Sequence, residues 1–312
     1  MKQKLLVIVG PTAVGKTAYA ISAARKLGGE IISADSMQIY RYMDIGSAKP
    51  TPEEQEKAVH HLIDSIDPGK EFSVAEYQTL AKEAICEVFK KGKLPIICGG
   101  TGLYINSLLY SMNFGILPKQ DERRKELEAI GEKEGNEALH EILQKVDAEA
   151  AARIHPNNRK KIIRAIEVAE NSGSGIPEFE HAFQKTDDYD FLFIGLIRER
   201  EELYRRINLR VDLLMEQGLL EEVKGLMEQG LTKKSISMKG IGYKELIACL
   251  NGEYDLEEAV RLIKRNSRRY AKRQITWFKR DPNIRWFWLS EKLSFTENET
   301  AFLQFLKEEW QR

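Results

Sequence analysis

The amino-acid sequence predicts an α/β protein with a P-loop core: a parallel sheet carries helices on both faces, and an all-helical domain is inserted into it. Strand-like apolar segments alternate with helix-like ones over the first 110 residues, which is typical of strands joined by helices. A glycine-rich loop follows the first apolar segment, and strand patterns are absent between residues 118 and 188. We therefore expect a core of residues 1–117 and 189–312, with an insertion at 118–188.

The first element is an apolar strand at residues 5–9, which leads into the motif G-x-x-x-x-G-K-T and then into a helix at 18–27. In this order the glycines let successive N–H groups point inward, and the helix N-terminus adds partial positive charge, so the loop can cradle phosphates. Lys16 is expected to reach the outer phosphates and the Thr17 hydroxyl to bind Mg²⁺. The expected cradle consists of Gly10, Pro11, Thr12, Ala13, Val14, Gly15, Lys16 and Thr17. The motif predicts a polyphosphate ligand without deciding whether that ligand is a nucleotide.

The second and third strands end in residues that are candidates for chemistry. The segment 30–35 ends in Asp35, and 94–98 is followed by Gly99-Gly100-Thr101-Gly102. Because the carboxyl ends of parallel strands meet at one edge of the sheet, we expect the glycine loop, Asp35 and Thr101 to line one cleft.

Asp35 and Thr101 each have a structural alternative. P-loop NTPases usually carry a second acidic residue at the end of a strand to help hold Mg²⁺, yet the third strand here has none. Asp35 is therefore the candidate for general base or metal helper, the alternative being a cap of the next helix. Thr101 is either a hydroxyl that faces the cleft or a helix N-cap. Gln38 has the amide that pairs with an adenine edge, and the alternative is a polar turn residue.

The other elements follow from capping and composition. Ser73 and Glu76 have the spacing of a capping box, so a helix is expected from there to about Lys91. The remaining expected elements are charged helical sequence over 121–152 and 157–170, a flexible return at 173–177, a strand at 191–196, and mostly helical sequence with a turn at 239–243.

Basic residues are unevenly distributed, although the formal net charge is zero. Residues 261–280 hold nine Lys/Arg and no Asp/Glu, interspersed with Tyr270, Trp277 and Phe278, and a second basic run covers 153–164. Such runs are candidate nucleic-acid surfaces, and the alternative is a solvated helix face. Five arginines that follow the strand at 191–196 are either a diphosphate clamp or solvated: Arg198, Arg200, Arg205, Arg206 and Arg210.

Cysteines, histidines and apolar runs restrict the class of protein. Cys86, Cys98 and Cys249 are scattered, which argues against a zinc site or a disulfide framework and favours a reducing compartment. The pair His60-His61 is expected to have packing and surface roles. The short apolar run at the start predicts a core strand and not a signal peptide, and no apolar stretch approaches the roughly 20 residues that span a bilayer.

Taken together, the motifs resemble those of the tRNA dimethylallyltransferase family, the bacterial tRNA isopentenyltransferases. The resemblance covers nearly the whole chain in the family's order, which makes it far more specific than the P-loop alone. The matching stretches are G-P-T-A-V-G-K-T at 10–17, D-S-M-Q-I-Y at 35–40, M-D-I-G-S-A-K-P at 43–50, H-H-L-I-D at 60–64, G-G-T-G-L-Y at 99–104, R-I-H-P-N-N at 153–158, R-A-I-E-V at 164–168, I-G-Y-K-E at 241–245 and K-R-Q-I-T-W-F at 272–278.

The resemblance implies transfer of a dimethylallyl group from its diphosphate to N6 of the adenosine immediately 3′ of the anticodon in tRNA. Asp35 would be the general base, Thr101 would help orient the amine, and the P-loop with Lys16, Mg²⁺ and Arg210 would hold the leaving diphosphate. The residues implied in tRNA binding are Asp35, Ser36, Met37, Gln38 and Thr101 at the flipped base, and Arg124 (or Arg123), Lys160, Lys161, Ile162, Ile163 and Arg164 at the anticodon stem-loop.

The expected partners are tRNA and dimethylallyl diphosphate, with no membrane, for a monomer in the cytoplasm. A small-molecule P-loop kinase is the alternative, since it shares the core fold, but it has no need of two basic surfaces. An RNA-binding GTPase switch would require an N-K-x-D base-reading motif, which the sequence lacks.

Overall fold

The structure, a computed structural model, describes residues 3–111, 121–172 and 184–311. Six strands form one parallel sheet in the order β3-β2-β4-β1-β5-β6. The strands are β1 Lys4–Val9, β2 Gly29–Ala34, β3 His60–His61, β4 Leu94–Gly99, β5 Asp190–Ile197 and β6 Arg285–Trp288. Residues 5–9 are completely buried. Since alternate residues of a strand face opposite sides, both faces of the sheet are covered.

Helices connect and flank the strands. They are α1 Lys16–Leu27, α2 Pro52–Lys57, α3 Val74–Lys90, α4 Gly102–Leu109, α5 Asp121–Lys133, α6 Asn136–Val146, α7 Ala148–Arg153, α8 Arg159–Ser172, α9 Arg200–Glu216, α10 Leu219–Glu228, α11 Tyr243–Leu250, α12 Leu256–Phe278 and α13 Phe295–Gln311, with a short 3-10 helix at Ser237–Lys239. The capping box predicted for α3 is confirmed, because Ser73 Oγ accepts from Glu76 N at 3.2 Å and Glu76 Oε2 accepts from Ser73 N at 2.7 Å. In the described ranges no helix combines the length and apolar composition that crossing a bilayer demands.

The chain divides into two compact units, one of residues 1–111 and 185–312 and one of 112–184. Helices α5 to α8 belong to the second unit, whose buried core includes Leu127, Leu139, Leu143 and Ile166. The predicted boundary at residue 118 and the predicted flexible return at 173–177 lie outside the described residues. The role of the insertion in tRNA contact stays a prediction.

Two strands were not expected from the sequence, and both lie at edges of the sheet. β3 is only the pair His60–His61, and β6 is the four-residue segment Arg285–Trp288. β3 is too short to show a periodic pattern, and β6, although aromatic, is only four residues long in a part of the sequence that is mostly helical. Gly195 of β5 accommodates β6, since a Cβ there would lie 2.6 Å from the Trp286 ring.

Register places the candidate residues at one edge. Val9 of β1 pairs with Gly99 of β4 and with Gly195 of β5, and Ala34 of β2 also pairs with Gly99. A Cβ on Gly99 would lie 2.1 Å from Ala34 O, so glycine is required where β4 ends against β2. The glycine loop, Asp35 and the loop after β4 therefore leave the sheet side by side.

Candidate active site

Two adjoining cavities open at the carboxyl edge of the sheet, one of about 760 Å³ and one of about 420 Å³. We call them the phosphate-loop cavity and the second cavity. The first contains Gly15, Lys16 and Thr17 in its lining, and the second contains Ser36 and Met37. The lining residues common to both are Thr12, Ala13, Asp35, Ser47, Ala48, Arg210, Leu214 and Tyr270. Asp35 thus faces both spaces, as a group acting between two substrates must.

The glycine loop has the backbone form that its sequence predicts. Gly10 and Gly15 have φ of 155° and 108°, and a Cβ on Gly10 would lie 2.6 Å from Leu196 O. Arg198 Nε donates to Val14 O and Arg206 Nε to Ala13 O, each at 3.0 Å. Since the C=O and N–H of a trans peptide point in opposite directions, the Arg198 contact turns the Gly15 N–H the other way. Gly15 lines the phosphate-loop cavity, which suits anion binding.

Lys16 is partly buried in the lining of the phosphate-loop cavity, where its Nζ donates to Pro11 O at 3.0 Å. Burial lowers the pKa of Lys16 to about 8, while nearby Cys98 and Asp35 oppose the shift and Arg210 adds to it. Burial also raises the pKa of the Cys98 thiol to about 11. An anion with several negative charges would raise this pKa again and keep the lysine protonated.

Asp35 begins a turn that follows β2 and does not cap a helix, because the next helix, α2, begins at Pro52 and has Thr51 as its N-cap. Its Oδ1 accepts from Met37 N at 2.9 Å and from Gln38 N at 3.4 Å. Among the described residues Oδ2 has no hydrogen-bond partner, so it is available to a substrate proton.

Thr101 is the N-cap residue of α4, but its side chain makes no capping hydrogen bond. Its Oγ1 accepts instead from Ser36 N at 3.1 Å, which ties the loop after β4 to the residue beside Asp35. The structure therefore brings Asp35, Thr101 and Lys16 to one edge of the sheet from three strands, but Thr101 lines neither cavity, contrary to the expectation.

Arg210 is the cleft arginine of the five that follow β5. It lines both cavities, and burial lowers its pKa while Asp35 opposes that effect. Arg206 and Arg198 contact the outside of the glycine loop, and Arg198 also pairs with Glu202. Arg206 and Arg210, four residues apart on α9, therefore differ in role: Arg206 holds the glycine loop, and Arg210 faces the cavities.

Gln38 is occupied within the protein. Its Oε1 accepts from Ser33 Oγ at 3.1 Å, and its Nε2 donates to Ala48 O at 3.2 Å and Ser47 O at 3.5 Å. The amide thus holds the loop 44–48, and pairing with a base would require it to exchange these bonds. Met37, by contrast, lines the second cavity beside Gly240.

Sequence reasoning missed Glu222, which anchors the same loop from α10. Its carboxylate accepts from the N–H groups of Asp44, Ile45 and Gly46 at 2.8, 2.7 and 3.0 Å, and from the Tyr243 hydroxyl at 2.7 Å. A Cβ on Gly46 would lie 2.5 Å from the Tyr243 ring, so the anchor also requires glycine. Nothing in the spacing of Glu222 signals this role, because its backbone partners in the loop are 176–178 residues away.

In the second unit, two of the residues expected to bind tRNA are wrongly assigned. Ile162 and Ile163 are 0% and 4% exposed, packed in the core of α5 to α8. They stand between Lys161 and Arg164 in sequence, but on α8 both side chains turn into the core of the unit. Neither side chain can reach an RNA without unfolding the unit.

The charged residues expected to bind tRNA differ in whether acidic side chains pair with them. Lys160 and Lys161 are exposed and have no acidic partner among the described residues. Arg124 pairs with Glu167 through Nε at 2.9 Å, and Arg164 approaches the same carboxylate at 3.6 Å. Arg123 pairs with Glu170 and Glu126, which raises its pKa. Of the charged residues expected to bind tRNA, the two lysines can therefore contact an RNA phosphate without first breaking an ion pair.

The histidine pair has the structural role expected of it. His61 Nε2 lies 2.7 Å from Glu30 Oε2, and His60 Nδ1 lies 2.8 Å from Ala58 O. Glu30 is almost fully buried, and hydrogen bonds from Lys93, His61 and Lys91 outweigh its desolvation and lower its pKa to about 2.

Known proteins are similar to this chain over most of its length. A family model described as IPP transferase matches residues 38–281. A tRNA dimethylallyltransferase of Alkaliphilus oremlandii is 57% identical over 290 residues, 93% of each chain, and one of Clostridioides difficile is 48% identical over 98% of each.

Solved structures match as well. A tRNA isopentenylpyrophosphate transferase of Bacillus halodurans superposes with a TM-score of 0.74 at 45% identity, covering 99% of this chain and 97% of the other. A eukaryotic dimethylallyltransferase acting on tRNA gives a TM-score of 0.82 at 29% identity, covering 96% of this chain and 77% of the other.

Proposed function

The chain belongs to the IPP transferase family, and from this we propose that it transfers a dimethylallyl group from dimethylallyl diphosphate to N6 of the adenosine immediately 3′ of the anticodon in tRNA, releasing diphosphate. The observation that carries the assignment is that Asp35 lines both cavities, between the phosphate loop and the space beside Met37. A carboxylate in that position can take a proton from an acceptor while the loop holds a leaving group.

On the donor side, the diphosphate binds the cradle formed by residues 10–17, with Lys16 and Arg210 as its cations. Both are partly buried, and cations with reduced solvent contact interact more strongly with a developing negative charge because less water screens them. Mg²⁺ fits this site: the Thr17 hydroxyl lines the same cavity as Lys16, and Mg²⁺ commonly takes one or two protein oxygens together with phosphate oxygens. When bound, the ion would neutralise part of the diphosphate charge.

On the acceptor side, the adenine leaves its stack and enters the second cavity beside Met37, because an amine on a stacked base cannot reach a buried donor. The N6 lone pair forms a bond to C1 of the dimethylallyl group as the C1–O bond breaks, and that electron pair leaves with the diphosphate. Asp35 Oδ2 takes the proton that N6 loses. Thr101, held by Ser36 N, orients the amine.

The test is single-turnover transfer of labelled dimethylallyl to an anticodon stem-loop with ATP absent. The transferase needs no ATP because its leaving group comes from the donor itself, whereas a small-molecule kinase must consume ATP. Transfer without ATP supports the proposal, and an absolute ATP requirement with phosphate transfer to a small molecule would replace it.

Lys160 and Lys161 are expected to bind the tRNA backbone. Replacing both by Ala should weaken tRNA binding and reduce the slope of log K against log salt by about 0.7–0.9 for each lost contact. Donor binding should be unchanged, because neither residue lines a described cavity. The measurement is tRNA affinity over a salt series.

The matched control replaces Lys133 and Lys145, which are exposed on α5 and α6 of the same unit. It removes the same charge from that unit. If the two double variants lose equal affinity, the effect is one of net charge, and the assignment of residues 160 and 161 is wrong.

Donor binding is expected to weaken as pH rises above about 8. The Lys16 pKa of about 8 means that the free site begins to lose its proton there, while the bound diphosphate favours the protonated form and raises that pKa. Binding therefore takes up a proton above pH 8, and affinity should fall by up to about tenfold per pH unit.

Titration calorimetry in two buffers of different ionisation heat measures that uptake directly. In Lys16→Arg, whose guanidinium stays charged, the uptake should disappear. Equal wild-type affinity at pH 7 and pH 9, with no proton uptake, would rule out the titration of Lys16.

We place this enzyme in the cytoplasm, where tRNA is found, and expect a monomer. The three cysteines are free, which suits a reducing compartment.

A further inference from the structure

Gln274 of α12 joins the two loops of the cleft through one side-chain amide. It is 5% exposed and lines the phosphate-loop cavity. Its Oε1 accepts from Thr12 N at 2.8 Å, and its Nε2 donates to Gly100 O at 2.9 Å. One amide therefore links the loop after β1 to the loop after β4.

Glutamine is chemically suited to this link. Thr12 offers a donor and Gly100 an acceptor, so the bridging group must supply one of each at the end of one side chain. A Cβ on Gly100 would lie 2.2 Å from Gln274 Nε2, so the glycine allows the approach. A buried backbone group left without its partner is costly, and both contacts are shielded from water.

The two linked loops have different tasks in the reaction proposed above. The first carries Lys16 and Thr17 at the diphosphate. The second carries Thr101, which holds Ser36 N next to Asp35. Tyr270, one turn before Gln274 on α12, lies beside the side chains of Thr101 and Gln274. One helix thus connects the donor loop to the residues that face the acceptor.

We propose that Gln274 is a positioning residue: its amide sets the spacing between the donor loop and the acceptor loop, and thereby the distance that the dimethylallyl group must cross. The inference rests on the proposed function. Gln274 acts through Thr12 and Gly100, so its loss should slow the transfer step without weakening tRNA binding.

The test compares Gln274→Glu with Gln274→Met. A carboxylate has no proton for Gly100 O, whereas a protonated carboxyl donates through its hydroxyl and accepts through its carbonyl, as the amide does. Burial and the facing carbonyl raise the pKa of such a carboxyl. At pH 8 both variants should lose about tenfold or more in single-turnover rate, as expected for a buried hydrogen bond.

As pH falls, the rate of Gln274→Glu divided by that of wild type should recover, while the same ratio for Gln274→Met stays flat. The neighbouring titratable and charged groups are unchanged in both variants: Lys16, Asp35, Cys98, Arg210, Tyr270 and Arg273. Dividing by the wild-type rate at each pH removes their titration. Gln304→Glu on the exposed face of α13 is the control, and its ratio should stay near one at every pH.

If Gln274→Glu does not fold, Gln274→Met is combined with Thr101→Val. Because the proposal has Gln274 acting through the loop of Thr101, the loss from Gln274→Met should shrink in that background.

Wild-type rates for both variants, a loss without pH recovery in a folded Gln274→Glu, or full additivity with Thr101→Val would each overturn the inference. Failure of the wild-type enzyme to transfer would instead refute the proposed function. The two failures are thereby distinguished.

Discussion

Asp35→Asn is expected to lower the single-turnover rate of dimethylallyl transfer by about 10²–10⁴-fold, the range for general-base assistance. The amide keeps an oxygen for the N–H groups of Met37 and Gln38, so the turn after β2 should persist. What it loses is the basic Oδ2 that faces the acceptor. Donor affinity should change little, because the phosphate loop is untouched. The measurement is the transfer rate to an anticodon stem-loop with ATP absent.

Asp67→Asn is the matched control. Asp67 is exposed, its Oδ1 accepts from Gly69 N at 2.8 Å in a similar local turn, and it lines neither cavity. It should transfer at the wild-type rate. An unimpaired Asp35→Asn would sink the general-base assignment, and a loss confined to tRNA affinity would make Asp35 a binding residue only.

Lys16→Ala is expected to lower the transfer rate by about a hundredfold, because one charge-assisted contact to the leaving group in a dry site contributes roughly 3 kcal/mol. tRNA binding should remain. The enzyme should melt no lower than wild type, because burial lowers the pKa of Lys16 from 10.5 to about 8 and the charged lysine therefore costs stability in the free protein.

The sign of that stability effect follows from the two pKa values. Below pH 8 the lysine is protonated in both folded and unfolded chains, and the full penalty applies. Between pH 8 and 10.5 the unfolded chain binds more protons, so stability rises with pH in the wild type and not in Lys16→Ala. Thermal melts at pH 7 and pH 9.5 measure the difference.

Lys26→Ala, an exposed change on the same helix, serves as the control for both rate and stability. Normal transfer in Lys16→Ala would mean that the loop does not hold the leaving group. A marked loss of stability would mean that its hydrogen bond to Pro11 O outweighs the cost of burial.

The core fold and the family were accessible from sequence because their signals are local. The strand–loop–helix pattern around residues 10–17 needs only neighbouring residues, and the resemblance to tRNA dimethylallyltransferases is confirmed by the relatives. The edge strands β3 and β6 were missed because two and four residues are too few to show a periodic pattern. Ile162 and Ile163 were misassigned because a linear basic segment does not reveal which residues of a helix face inward.

By itself the sequence determined that a phosphate loop, Asp35 and Thr101 leave parallel strands at one edge, because strand order along the chain and the direction of parallel strands leave little freedom. Only the tertiary structure decided how that edge is held. Gln274 hydrogen-bonds with Thr12, which is 262 residues away in sequence, and Glu222 holds the loop 44–46. Arg206 hydrogen-bonds with the glycine loop, whereas Arg210 lines the phosphate-loop cavity. Such contacts join residues that are distant in sequence. Their hydrogen bonds form only when the fold brings the atoms within about 3 Å, and the spacing of residues along the chain does not reveal this.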